Sequence, residues 1–363
     1  MSTQKVAVKN SRGLLPGGVR AKRWFAIAAQ IISLFLPGVG GTLSAASSDP
    51  LASATLVLIG GTPVLFLITL WRYRSSMFSM GSFGTSTTRF CWLLIDTTVV
   101  RWIYVVLIAA TSVGINIAVP EADGTIGSGV RMAVQSCGTL LVGLLAFRGL
   151  RRYIEILLRI LILGSLLLAT DALSSSEPNI GGSLWAGVCA VHFFTLMKAL
   201  TVFGTQQNRD SGMALANVIA LIAVLAYAIP HGSMPTPEKF AGALLPAGVL
   251  YVAIPLTVMI IPVFGTNWAR GVLSEAELGM LTSTGPVWGS LAAFGLKAFG
   301  WAATPALNSY QVAGIVLVVL LALLGELINS ERNKFATTHA EALAKRALRP
   351  GQNVDGTEPS AVS

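Results

Sequence analysis

Charged residues are scarce in this chain. Asp, Glu, Lys and Arg make up 11% of its 363 residues, whereas a soluble domain contains about 25%. This shortage excludes an ordinary soluble enzyme, and the high hydrophobic content excludes a disordered protein. Cysteine is scarcer still. The three cysteines, Cys91, Cys137 and Cys189, are too scattered to indicate a disulfide framework or a zinc site.

Motifs of enzymatic chemistry are also missing from the sequence. It has no glycine-rich nucleotide loop ending in Lys-Ser/Thr, which argues against ATP-driven transport by this chain alone. It has no His-x-x-x-His or Cys-x-x-Cys spacing for a metal. The acids Asp96, Glu121, Asp123, Asp171 and Glu177 are expected in loops without a basic or nucleophilic partner. The sequence therefore predicts a protein that is not an enzyme and that needs no cofactor.

Long apolar runs dominate the chain instead. Hydrophobic residues make up 53% of it, and its mean hydropathy is +0.71. A membrane-spanning helix needs about 20 mostly apolar residues. The sequence predicts an all-α polytopic membrane protein with ten such spans, at 24–43, 51–71, 102–120, 125–147, 154–170, 182–203, 211–229, 239–264, 272–298 and 308–328. The mixed stretch 72–101 is the exception: Phe90 to Ile95 either lies along the membrane surface or enters the bilayer and changes the count.

The basic residues indicate how the spans are oriented. Cytoplasmic loops carry an excess of Lys and Arg. With the N-terminus inside, most of the 25 basic residues fall on the cytoplasmic side, and only Lys239 and Lys297 fall at the outer end of a span. We expect a multi-pass protein of the cell (inner) membrane with a basic cytoplasmic N-terminus, 1–23, and a partly disordered cytoplasmic tail, 329–363. The net charge of +9 then reflects topology and contact with anionic lipid headgroups, not nucleic acid.

The ten predicted spans divide into two units of equal length, 24–170 and 182–328. At a constant offset, span nine matches span four at five positions: Ser136, Gly138, Leu144, Ala146 and Phe147 fall on Ser283, Gly285, Leu291, Ala293 and Phe294. Because five is odd, the second unit must enter the bilayer in the opposite direction. Inverted repeats of this kind build many secondary transporters, whose substrate site lies near the midplane between the repeats.

Three stretches of the second unit carry a family resemblance. Gly182 to Ala190, Leu244 to Leu250 and Thr282 to Gly289 resemble the sixth, eighth and ninth helices of EamA-type members of the drug/metabolite transporter superfamily. The pattern is most similar to that of the bacterial threonine and homoserine exporters. The resemblance implies export of small polar metabolites such as amino acids. The chain departs from the family at Gly285-Pro286, where Glu-Pro is frequent, and at Gly300-Trp301, where Gly-Glu is frequent, which leaves the substrate open.

Arg131 is the leading candidate for substrate binding. A charge within a span is costly, at roughly 2.5–3.5 kcal/mol on insertion scales. Arg131, Gln135 and Gly138 share one helix face. The guanidinium either grips a substrate carboxylate through two hydrogen bonds or snorkels to the outer headgroups.

Other polar groups within the spans complete the candidate substrate-binding set. His192 lies near the middle of span six, where it either relays a proton or binds substrate, or simply donates to a helix carbonyl. Asn116, Asn217 and Tyr251 either face a cavity or form helix–helix hydrogen bonds. Thr282, at the start of the ninth-helix stretch, belongs to the same candidate set.

Helix breakers fall within three predicted spans. Pro37-Gly38, Gly60 to Pro63 and Gly285-Pro286 are expected to interrupt their helices. Such breaks free backbone groups, which is tolerable only where protein or a wet cavity satisfies them. They therefore fit a transport pathway.

Together these features predict a secondary active transporter of a small-molecule substrate, which works by alternating access and to which proton coupling is open. Two alternatives remain. One is a translocator of a lipid-linked or nucleotide-linked sugar, for which the superfamily also has relatives. The other is a membrane scaffold subunit that transports nothing, which intramembrane charges facing lipid or another chain would favour.

Overall fold

The computed structural model describes most of the membrane-embedded part of the chain. The described residues are 16–74, 87–90, 93–144, 151–169, 180–242, 245–270, 272–273, 278, 281–282, 284–301, 307–325 and 327–328. The two predicted tails therefore lie mostly outside the described residues. So do three of the repeat positions, Ala146, Phe147 and Ser283.

Helices account for nearly all of the described structure. In chain order they are α1 Pro16–Ser44, α2 Pro50–Tyr73, α3 Thr97–Thr125, α4 Ser128–Leu144, α5 Arg151–Ala169, α6 Ile180–Phe203, α7 Gln206–Ala228, α8 Ala247–Pro255, α9 Ile261–Arg270, α10 Gly285–Ala298 and α11 Ser309–Gly325. A π-turn, Leu256–Ile260, joins α8 to α9. Six helical segments of the described chain are long and apolar enough to cross a membrane. The chain is thus a multi-pass membrane protein.

Short polar residues fix where several of these helices begin. Asp49 caps α2, and its Oδ1 accepts hydrogen bonds from the backbone of Leu51 (3.0 Å) and Ala52 (3.2 Å). Asp96 caps α3 and Thr205 caps α7 in the same manner. Such caps satisfy backbone N–H groups that have no partner inside the helix.

The uncertain stretch 72–101 contains a β-hairpin. Strands β1, Thr87–Phe90, and β2, Leu93–Asp96, pair antiparallel with Phe90 opposite Leu93. The Phe90 ring packs edge-on against Tyr104 of α3, with ring centroids 5.9 Å apart. Helix α3 follows directly, so it begins at Thr97 and not at the predicted residue 102.

The predicted start of span eight is wrong. Residues Pro237–Phe240 form a 3-10 turn, and the helix begins at Ala247, not at residue 239. The physical reason lies in two prolines. Pro237 and Pro246 lack a backbone N–H, so each suits the start of a helical segment and not its interior.

Two of the three predicted helix interruptions, those at Pro37-Gly38 and at Gly60 to Pro63, are wrong. Pro37 lies inside the continuous helix α1, and Pro63 lies inside the continuous helix α2. A single proline removes one backbone hydrogen bond and kinks a membrane helix without ending it. The third is confirmed: helix α10 begins at Gly285, within predicted span nine, after a turn at Thr284. Pro286 stands in its first turn, where a missing N–H costs nothing.

The glycines beside these prolines serve close helix packing. A Cβ on Gly60 would overlap the ring of Pro255, and a Cβ on Gly61 would overlap the sulfur of Met259. A Cβ on Gly38 of α1 would lie 2.9 Å from the Cα of Gly289 in α10. Small residues at such crossings let helix backbones approach each other.

The helices pack in a pattern that leaves space between them. Helix α3 packs on α6 and α7, α4 packs on α6 and α10, and α1 packs on α9 and α10. Helix α2 packs on α7. Buried apolar side chains between α2, α3, α6 and α7 form one core cluster, and those around Leu43, Phe240 and Leu250 form another. The candidate site lies in the space between these packed groups.

Candidate functional site

A cavity of about 860 Å³ lies between helices α1, α2, α3, α4, α6, α7 and α9. Its polar lining includes Gln30, Ser33, Thr69, Arg72, Ser112, Asn116, Arg131, Gln135, Ser136, His192, Gln206, Arg209, Asp210, Asn217 and Thr282. Leu, Ile, Val and Phe side chains and four methionines form much of the rest of its wall. The volume falls within the range of about 300–1,000 Å³ that small-molecule sites occupy.

Six of the seven predicted substrate-binding residues line this one cavity. They are Asn116, Arg131, Gln135, His192, Asn217 and Thr282. Tyr251 lies elsewhere: its hydroxyl donates to the carbonyl of Pro235 (3.3 Å), and its ring meets Phe240 edge-on. Tyr251 therefore joins helix α8 to the 229–246 connection and takes no place among the cavity residues.

Arg131 is buried and paired. Its side chain contacts the Asp123 carboxylate through Nε and Nη2, the second bond measuring 3.3 Å, and its Nη1 donates to Gln135 Oε1 (2.8 Å). Both members of the ion pair are 1% exposed. The snorkelling alternative does not describe this arrangement, because the guanidinium points to Asp123 and not to the bilayer surface.

The expectation that Asp123 lies in a loop without a partner is wrong. Helix α3 continues through Pro120 to Thr125, so Asp123 lies in its last turn. A tight turn then reverses the chain at Gly127, whose φ of 84° suits glycine. The reversal brings the first turns of α4 alongside the end of α3, and Asp123 meets Arg131 there.

His192 faces helix α3 from the middle of α6. Its Nδ1 lies 3.0 Å from the Thr111 hydroxyl oxygen, and the residue is 8% exposed. Five residues beyond Thr111, the Asn116 side chain donates through Nδ2 to the Ser112 carbonyl (2.8 Å). Asn217 of α7 is buried and lines the same cavity.

The cavity reaches the helix ends around Asp210, here called the Asp210 end. Asp210 of α7 accepts hydrogen bonds from the Tyr73 hydroxyl (2.7 Å) and from Gln206 (2.8 Å). It also pairs with Arg72 at 3.5 Å. The Arg72 side chain is 60% exposed. This polar cluster marks the mouth of the cavity.

The opposite side of the protein, here called the Lys239 end, is closed by contacts between connecting segments. Lys239 donates through Nζ to Asp49 (2.6 Å) and also to the Gly232 carbonyl. Its own carbonyl accepts from the Ser48 backbone N–H (2.8 Å). Nearby, burial raises the pKa of Asp49, but hydrogen bonds from Lys239, Ser233 and the backbone outweigh it and hold that pKa below its ordinary value.

The crossing of α4 and α10 adds to this closure. The Ser128 hydroxyl donates to the Gly289 carbonyl at 2.7 Å, and this bond is fully buried. A Cβ on Gly129 would overlap the Ser290 hydroxyl, so the two helices are in close contact at their first turns. Ser128 and Gly129 precede Arg131 by less than one helical turn on α4, so the crossing lies beside the buried Arg131–Asp123 pair.

Sequence reasoning missed three polar residues of this region. Asp123 carried a signal, because an acid and a base flanking a short turn between antiparallel helices tend to meet. Thr111 and Asp210 carried none, since their partners His192 and Arg72 are distant in sequence.

The comparisons with known proteins add no relative to these observations. No protein-family model matches the sequence, and no curated protein matches it.

Proposed function

We propose that this protein is a secondary active transporter that exports small polar metabolites by alternating access. Amino acids such as threonine and homoserine are the first candidates. The observation that carries the proposal is the single cavity, into which six residues chosen from the sequence as candidate binding groups converge from α3, α4, α6, α7 and the segment before α10.

The deep part of the cavity offers a site for a carboxylate. Arginine has five N–H donors in a planar fork. The contacts of Arg131 with Asp123 and Gln135 use three of them. Arg131 keeps donors for a substrate carboxylate, while Asp123 offsets the buried positive charge when the cavity is empty.

The helix packing supports a five-plus-five inverted repeat. In the proposed count, α8 and α9 together form span eight and α10 lies in span nine. Exchange of the two halves then converts the α3–α6 contact into the α1–α9 contact, and the α4–α6 contact into the α1–α10 contact. The α2–α7 and α4–α10 contacts map onto themselves. The cavity lies between the two halves, as in other inverted-repeat transporters.

The distribution of basic residues supports a cytoplasmic location for the Asp210 end. Lys22, Arg23, Arg72 and Arg74 lie at that end of α1 and α2, and cytoplasmic loops are enriched in such residues. In this orientation the cavity opens to the cytoplasm of a cell in whose inner membrane the protein lies. The Lys239 end faces outward and must open for release.

The test is efflux from proteoliposomes that contain the purified protein. Labelled threonine, homoserine and other small amino acids form the panel, with and without a pH gradient. We expect selective efflux that falls at least about tenfold in Arg131→Ala, because a charge-assisted hydrogen bond contributes about 1.5–3 kcal/mol. Gln135→Ala is the second variant, since it changes the part of the cavity around Arg131 while the Arg131–Asp123 pair stays intact. Lys297→Ala, at an exposed position outside the cavity, is the matched control.

Two results contradict the proposal. If folded protein moves no panel member, the alternatives are a translocator of a lipid-linked or nucleotide-linked sugar and a scaffold subunit that transports nothing. If both Arg131→Ala and Gln135→Ala transport like the wild type at equal protein levels, the part of the cavity around Arg131 binds no cargo.

A further inference from the structure

The bond between Thr111 and His192 decides which nitrogen of the imidazole carries the proton. The Thr111 hydroxyl lies 2.9 Å from the Leu107 carbonyl and 3.2 Å from the Ile108 carbonyl. A hydroxyl has one hydrogen, and a carbonyl can only accept. Thr111 therefore donates its hydrogen to a carbonyl of its own helix. With no hydrogen between them, the hydroxyl oxygen and the carbonyl oxygen would repel each other.

The remaining position on Thr111 is an acceptor, which fixes the state of His192. His192 Nδ1 is 3.0 Å from the Thr111 oxygen, so Nδ1 must be the donor. In a neutral imidazole the other nitrogen, Nε2, is then unprotonated and accepts. Among the described residues nothing hydrogen-bonds to Nε2, although the His192 ring lines the cavity.

Asn116 presents a second acceptor in the same cavity. Its Nδ2 donates to the Ser112 carbonyl, and its Oδ1 accepts no hydrogen bond from the described residues. Asn116 follows Thr111 by five residues on α3, about 7.5 Å along the helix axis. The two acceptors are His192 Nε2 and Asn116 Oδ1. The hydrogen bonds of His192 with Thr111 and of Asn116 with Ser112 hold their side chains in place.

Helix α4 presents donors to the same cavity. Gln135 accepts from Arg131 through Oε1, so its Nε2 amide group is a donor, as is the guanidinium itself. Arg131 also contacts Cys189, which lies one helical turn from His192 on α6. Donors on α4 and acceptors on α3 and α6 therefore line one cavity.

We infer that Thr111 locks His192 as an Nδ1–H tautomer, and that His192 Nε2 and Asn116 Oδ1 accept hydrogen bonds from the ammonium or hydroxyl group of the cargo. The inference rests on the proposed function and deepens it. The cargo must carry an N–H or O–H donor at one end and a carboxylate or another acceptor at the other. A carboxylate without a donor group fits only half of the site.

The first test is nitrogen NMR of histidine-labelled protein in lipid bilayers. The chain has three histidines, and the spectrum of His192→Gln assigns the signal of His192 by its loss. We expect a protonated Nδ1 and an unprotonated Nε2 in the wild type, and a mixture of tautomers in Thr111→Val. Thr201→Val is the matched control, because the exposed Thr201 hydroxyl also donates back to its own helix, to Met197, and has no histidine partner among the described residues.

The second test is competition against labelled threonine in the same bilayers, with unlabelled threonine and butyrate as probes. Butyrate has the carboxylate and lacks both donors. We expect Thr111→Val and His192→Asn to weaken threonine binding about tenfold and to leave butyrate binding unchanged. His192→Gln should restore part of the affinity, because its amide reaches the position of Nε2.

The outcomes separate this inference from the proposed function. A protonated Nε2 in the wild type overturns the inference, as does a Thr111→Val protein with an unchanged spectrum and unchanged threonine binding. A wild type that binds no panel member contradicts the proposed function, while the tautomer signal still decides the state of His192.

Discussion

Arg131 and Asp123 form a nearly fully buried ion pair across the turn between α3 and α4, and Gly41 of α1 lies against it. Removing two charges from water is costly, and their attraction repays that cost only when geometry and further hydrogen bonds are good. The Gln135 amide supplies one such bond. The pair therefore stabilises the fold only while both members are present.

Removing one member of the pair should destabilise the protein more than removing both charges. Asp123→Asn keeps the shape of the side chain but leaves Arg131 uncompensated, at an expected cost of about 3 kcal/mol. The double variant Asp123→Asn/Arg131→Gln should recover most of this loss. Thermal unfolding in detergent measures both. Glu121→Gln is the control, because Glu121 lies one half-turn away and forms no ion pair with the described residues. Equal losses in the single and double variants would contradict the argument.

Gly41 should be essential at its position for a steric reason. A Cβ on Gly41 would overlap Asp123 Oδ2 and lie 2.8 Å from Val119 Cγ1. Gly41→Ala must therefore displace the carboxylate from Arg131, and we expect a loss of about 2 kcal/mol in stability together with loss of transport. In Gly187→Ala the added methyl meets nothing within 4 Å, so that variant should be as stable as the wild type or more so. Equal stability of the two variants would refute the steric account.

The helices were predictable, and the pairing of their polar residues was not. Hydropathy located helical segments because a run of apolar side chains is the requirement for crossing a bilayer. It misplaced the end of α3 at residue 120, since Pro120 and the acids that follow it resemble a loop. The helix continues because its last turn is buried against α4 and Asp123 is neutralised there.

Helical spacing alone brought Arg131 and Gln135 together as candidates, because residues four apart share a face. The contact of Thr111 with His192 depends on how α3 crosses α6, which no local pattern encodes. The same limit explains Tyr251. Its position in an apolar helix suggested a cavity residue, but the rotation of α8 directs its hydroxyl to Pro235.

The ion pair of Asp49 with Lys239 should give a stability that depends on pH in a defined direction. Burial raises the pKa of Asp49, while Lys239, Ser233 and the backbone lower it more, so the folded pKa lies below the ordinary value of 3.8. The stabilisation is then fully present above the unfolded pKa and is lost as the pH falls through the folded pKa. Asp49→Asn keeps the helix cap and removes the charge, so it should cost under about 1 kcal/mol.

The measurement is the stability difference between wild type and Asp49→Asn across pH. It should be constant between about pH 5 and 7 and should shrink below about pH 4. Asp49→Ala also loses the cap and should cost about 1 kcal/mol more. Glu238→Gln, which removes a neighbouring carboxylate in the same turn as Lys239, is the control. A difference that grows on acidification would contradict the assigned sign.

Closure at the Lys239 end gives alternating access a direct test. The Ser48 backbone N–H and hydroxyl both lie within hydrogen-bond distance of the Lys239 carbonyl, so the two residues are neighbours when this end is shut. In a chain whose three native cysteines are replaced, Ser48→Cys/Lys239→Cys should form a disulfide on oxidation. If release requires this end to open, the cross-link should lower efflux at least about tenfold, and a reductant should restore it. Each single-cysteine variant under the same oxidant is the control. Full efflux from cross-linked protein would show that the Lys239 end stays shut during transport, and cargo would then leave by another route.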